Sequence, residues 1–154
     1  MVKLARVLVV LSVLWPLTLG LAVWQRATGA RDGWAATVYF AGGLVCHQLP
    51  ARSFSTAGVT WPVCGRCSGL YLAAPLGALA ALVWRRRRTD RDVAWLALAA
   101  VPTAATLGLE WGGLVAVSNV MRLAAALPLG AALAWVIVRV AAGPSRPIGY
   151  TAGS

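Results

Sequence analysis

The chain has 154 residues, 60% of them hydrophobic and 12% charged, with a mean hydropathy of +0.75. Soluble domains are roughly a quarter charged, so this composition excludes an ordinary soluble fold and points to one integral membrane domain, residues 1–142. The net charge of +10 would suggest nucleic acid in a soluble protein, but nine of the fourteen basic residues flank apolar stretches, where charge sets topology. These are Lys3, Arg6, Arg85, Arg86, Arg87, Arg88, Arg91, Arg139 and Arg146. The expected partner is therefore the lipid bilayer and not nucleic acid, with a protein partner or a homo-oligomer left open. Thirteen arginines against one lysine is the bias of a GC-rich bacterial genome.

In chain order, four segments are apolar and long enough to cross about 30 Å of hydrocarbon: Val7–Trp24, Ser68–Trp84, Val93–Leu109 and Val120–Val140. Tryptophan or arginine of the interfacial type closes each at one or both ends. Val7–Trp24 also admits a signal-peptide reading, with Gly20-Leu21-Ala22 as the cleavage site, but its length, Pro16 and Trp24 favour an anchor. Pro75, Pro102 and Pro128 lie inside the last three segments and predict kinks there. Between the first two spans, Trp34–Cys46 is 13 residues long and contains Gly42-Gly43, which suits a short re-entrant or interfacial helix. The fold class expected is all-α, four transmembrane helices plus that short helix. The tail 143–154, with its Gly, Pro and Ser, is expected to be a disordered cytoplasmic end.

With both termini cytoplasmic in a cell (inner) membrane, nine basic residues fall inside and five outside, namely Arg26, Arg31, Arg52, Arg66 and Arg122. The loop Gln25–Cys67 and the connector Glu110–Asn119 then share the outer face. A single site is expected there.

That site holds every cysteine and the single histidine of the chain: Cys46-His47 and Cys64-Gly65-Arg66-Cys67. The Cys-x-x-Cys spacing serves both zinc knuckles and dithiol redox centres. Cys46, His47, Cys64 and Cys67 together supply four N/S donors, as a tetrahedral zinc site needs, and thiolates accept iron as well. Adjacent ligands are awkward, because neighbouring side chains diverge. If one of Cys46 and His47 withdraws, three ligands and an open position remain. The alternative is a membrane thiol–disulfide oxidoreductase in which Cys64 and Cys67 exchange electrons with a quinone or a partner protein, in the manner of quinone-linked disulfide-forming enzymes of similar architecture. A further alternative is a structural or assembly subunit whose thiols are merely structural. No catalytic residue is assignable.

Around this motif, Arg52 and Arg66 could offset the charge of a metal–thiolate centre. Glu110, Asn119 and Arg122 stand at span ends, where charge is costly unless paired or hydrated. Two roles are open. Glu110 and Arg122 can bridge the third and fourth spans as an ion pair, or Arg52, Arg66 and Arg122 can form a cationic patch for an anion such as a lipid headgroup. Serine-hydrolase chemistry and phosphate-loop chemistry are not supported, since the single histidine lies beside Cys46 and the single lysine is Lys3.

From about Tyr39 to Tyr71 the chain resembles an uncharacterised family of small prokaryotic membrane proteins. The resemblance rests on Cys46-His47-Gln48, Pro50, Arg52-Ser53-Phe54, Pro62, Cys64, Arg66, Cys67, Gly69 and Tyr71, and more weakly on Ser118-Asn119 with Arg122. Two departures from that family's pattern are Glu110 in place of an aspartate and Ala125-Ala126 in place of a Thr-Gly-like element. The resemblance implies a multi-pass membrane protein and no assigned activity.

Overall fold

A computed structural model describes residues 2–29, 33–84 and 91–143. Its helices are α1 (Val2–Ala27), α2 (Gly33–Val45), α3 (Gly65–Val83), α4 (Arg91–Trp111) and α5 (Asn119–Ala142). Between α2 and α3 lie a single 3-10 turn, Pro50–Arg52, and two strands, β1 (Ser53–Thr56) and β2 (Val59–Cys64). α1, α3, α4 and α5 are each long and apolar enough to cross a membrane, and they contain the four expected segments, with Trp84 capping α3. The short apolar stretch forms α2, of 13 residues. Pro16, Pro75, Pro102 and Pro128 all sit inside continuous helices. The Arg85–Arg88 block, Arg146 and residues 144–154, where a disordered tail was expected, lie outside the described residues.

The all-α expectation needs one correction, because β1 and β2 pair antiparallel through a two-residue turn. Both turn residues, Ala57 (φ 49°) and Gly58 (φ 77°), have positive φ, the backbone twist that joins antiparallel strands directly. Ala57 and the proline at position 62 make a weak hairpin signal in the sequence, since Asn-Gly is the usual turn and proline is rare in strands. Trp61 donates to Thr56 Oγ1 at 2.9 Å and meets Phe54 edge-on at 5.9 Å, which closes the hairpin across its strands.

The bundle is built around α3 and α5. On α3, Gly65, Gly69, Ala73, Gly77 and Ala81 recur every fourth residue and are all buried. On α5, Ala126 and Gly130 do the same. A Cβ on Gly69 or Gly77 would collide with the carbonyl oxygen of Leu123 or Ala131, so only glycine permits this closeness. α1 packs on α3 and α5, while α4 leans on α5, where Thr103 donates to the Ala125 carbonyl at 2.8 Å.

Two core clusters mark the two ends of the bundle. At one end Ala5 and Val9 meet Ala78, Ala81 and Val138. At the other, Leu19 and Ala22 meet Ala35, Val38, Cys46 and Val63, with Trp15, Tyr39 and Tyr71 against them. The second end gathers the finish of α1 and α4, the start of α3 and α5, and the whole segment from α2 to β2.

Candidate metal centre

Cys64 is the N-cap of α3 and Cys67 lies in its first turn. Helical spacing therefore puts their side chains on one side of the helix start. Cys46 comes from the far side of the loop, just past the end of α2, where its N–H still bonds the Gly42 carbonyl at 2.9 Å. The three Sγ atoms lie within 4.8 Å of one another. A tetrahedral ion with metal–sulfur bonds of about 2.3 Å needs sulfurs about 3.8 Å apart. The widest separation exceeds that spacing by at most about 1 Å.

His47 does not join this group. With Cys46 turned into the core at 7% exposure, the next side chain is left at the surface. Of the four donors expected from the sequence, three converge and His47 is placed apart from them.

The residue that aligns the loop is Gln48, a member of the Cys46-His47-Gln48 motif whose particular role does not show in the sequence. Its backbone has φ 48°, and its Nε2 donates to the carbonyls of Tyr39 (2.6 Å) and Pro62 (2.8 Å). One amide thus ties α2 to the strand that ends in Cys64. α2 and β2 approach so closely here that a Cβ on Gly42 would stand 2.5 Å from the Pro62 carbonyl oxygen. Tyr39 adds a bond from its hydroxyl to the Thr60 carbonyl at 2.7 Å and carries the Arg26 guanidinium over its ring. The signal for Gln48 was available: a polar residue between two cysteine-bearing segments must find partners.

Cys46 and Cys64 each accept a hydrogen bond within this group. Cys46 Sγ accepts the Cys64 N–H at 3.2 Å. The Cys67 thiol beside it holds Cys64 well below the ordinary thiol range, at about 5, against an opposing push from burial. The first-turn amides of Arg66 and Cys67, and the Cys46 thiol, pull the same way. All three cysteines are free thiols.

Beside the thiols stands a charged cluster. The Glu110 carboxylate, at the end of α4, receives Arg52 Nε at 3.2 Å, Arg66 Nη2 at 2.8 Å and Arg122 Nη2 at 2.8 Å. Asn119 takes Arg122 Nη1 on its Oδ1 at 2.6 Å and donates from Nδ2 to the Ser53 carbonyl at 2.9 Å. Ser53, itself buried, donates to the Leu49 carbonyl at 3.0 Å. The expected Glu110–Arg122 pair is therefore present, joining α4 to α5, and two further arginines share its carboxylate.

The family model of DUF2085, described as a predicted membrane protein, matches residues 46–136. The chain belongs to this family. The DUF2085 match opens at Cys46 and takes in the three cysteines, Glu110, Asn119 and Arg122. An uncharacterised protein of Methanothermobacter thermautotrophicus is 36% identical over 90 residues, 58% of this chain and 81% of its own length. An uncharacterised protein of Methanocaldococcus jannaschii is 40% identical over 42 residues, 27% of each chain. No solved structure matches the chain.

Proposed function

We propose that this member of a predicted membrane protein family binds one transition metal ion, zinc or iron, through Cys46, Cys64 and Cys67, leaving a fourth position open. The observation that supports this reading is the convergence of three sulfurs from two separate segments within 4.8 Å, one of them buried in the core. Three thiolates around a divalent ion carry one net negative charge, and Arg66, between Cys64 and Cys67 in the chain, is placed to offset it. An open fourth position is the mark of a metal that takes a ligand or substrate. Charge asymmetry supports placing the cysteine end at the outer face of the cell membrane, with both termini cytoplasmic. Thiol titration of the folded protein tests the binding: zinc or ferrous iron should protect all three thiols, and a chelator should expose them.

The low-lying Cys64 thiol beside Cys67 favours a second reading, a thiol–disulfide oxidoreductase. Oxidation would join the two sulfurs and release two electrons and two protons to a quinone or a partner's disulfide. Reversible cycling of Cys64 and Cys67 in protein that takes up no metal would favour this reading over the first.

A further inference from the structure

The arginine cluster around Glu110 holds more positive charge than it neutralises. The side chains of Arg66, Arg122 and Glu110 are 14%, 10% and 11% exposed, so the protein itself withdraws these charges from water. Among the described residues, three guanidiniums face one carboxylate. A metal centre with one net negative charge nearby, or the Cys64 thiolate without the metal, would still leave a positive surplus. Buried charge of one sign is costly unless a counter-charge accompanies it.

Unspent donors accompany the surplus charge. Arg66 Nε is buried with no hydrogen-bond partner. Arg52 makes an ion pair with Glu110, its Nε 3.2 Å from the carboxylate, its side chain is 40% exposed, and its guanidinium makes no hydrogen bond among the described residues. Arg122, by contrast, is committed on all three nitrogens, to both oxygens of Glu110 and to Asn119. Arg66 and Arg122 also sit in the first turns of α3 and α5, whose N-terminal dipoles reinforce a positive field.

We propose that Arg52 and Arg66, beside an Arg122 fixed by Glu110 and Asn119, bind a phosphate-class oxyanion, either free phosphate or the phosphodiester of a lipid headgroup. Arginine's planar fork suits such oxygens. Arg52, the most exposed member, forms the entrance, and exchanging its half-exposed ion pair with Glu110 for the ligand costs little. Glu110 holds the arginines together when no anion is bound. The inference does not rest on the metal.

The test uses the full chain purified in phosphate-free, uncharged detergent. Binding of inorganic phosphate is measured by calorimetry, and retention of phosphatidylglycerol over phosphatidylcholine by native mass spectrometry. One saturable anion per chain is expected, bound about tenfold or more weakly by Arg52→Gln, as loss of a charge-assisted bond implies. Arg6→Gln, which removes an exposed arginine at the opposite end, should bind as the wild type does. Saturation by phosphate identifies a soluble ligand, and retention of phosphatidylglycerol alone identifies a lipid. A folded wild-type protein that binds neither probe saturably, or an Arg52→Gln variant that binds equally well, overturns the proposal. The wild-type titration decides the matter if the variant fails to assemble. Repeating it on Cys46→Ser separates the two sites, since anion binding should persist where metal binding is lost.

Discussion

The two ends of the bundle use arginine differently. At the end that holds the chain's first residues, Lys3 and Arg6 are exposed, and Arg139, itself drawn inward, makes a pair with Asp92 at 3.2 Å while lying over Trp135. At the other end Arg66 and Arg122 are drawn inward around one carboxylate, next to three thiols. Exposed basic residues at a span end need only the interface to be stable, and they orient the chain. Arginines folded into the protein need partners: Arg139 has Asp92, whereas Arg52, Arg66 and Arg122 crowd onto the one carboxylate of Glu110, with Asn119 and Ser53 in support. The first arrangement matches a buried arginine with a carboxylate, whereas the second gathers three arginines on one carboxylate and has the makings of a site.

The sharpest way to break this contrast is through the thiols. Cys67→Ser should lower metal content from about one per chain to a tenth of that or less, since three ligands are the minimum the site offers; elemental analysis of the purified variant measures it. Next come the carboxylates. Glu110→Ala strands three guanidiniums and should destabilise the protein by about 3–5 kcal/mol. Asp92→Ala removes one partner from Arg139, which keeps Trp135, and should cost about 1–3 kcal/mol. Thermal unfolding in detergent compares them, and equal losses would erase the distinction between the ends.

Gln48→Ala should cut metal affinity by about ten- to a hundredfold without touching a ligand, because groups that orient ligands carry that much; competition with a chelator reads it. The pH dependence follows from the Cys64 thiol. A depressed thiol value in the folded state means that stabilisation is complete above the ordinary 9.0 and is lost as pH falls toward about 5. Alkylation of Cys64 in chelated protein should accordingly stay fast at neutral pH and fall by half near pH 5, while a midpoint near 9 contradicts the geometry. The smallest effect is expected of His47→Ala. As an exposed side chain apart from the sulfurs, His47 should leave metal content unchanged and stability within about 0.5 kcal/mol.

Much of the fold is written in hydropathy. Four long apolar helices and the short one follow from runs of apolar residues and their tryptophan and arginine borders. The hairpin was not legible for a physical reason: Ala57 adopts a positive φ that alanine seldom takes, and Pro62 sits in a strand, so both local signals point away from pairing. The four-residue recurrence from Gly65 to Ala81 was visible but becomes meaningful only when α5 is known to lie against it. At the site, the cysteines and arginines announced themselves by type. Which donor of Cys46-His47 turns inward depends on how Gln48 folds the chain between α2 and β2, and no residue-level rule supplies that. That Glu110 would gather Arg52 and Arg66 as well as Arg122 is likewise a product of topology, which brings four separated segments to one end.

The most direct test of the central claim is the metal content of anaerobically purified, folded protein, measured by inductively coupled plasma mass spectrometry with Cys67→Ser prepared in parallel. A tris-thiolate centre predicts about one zinc or iron per wild-type chain and almost none in the variant. Folded wild-type protein that carries no metal, and whose three thiols react freely in the presence of added zinc and iron, would contradict it.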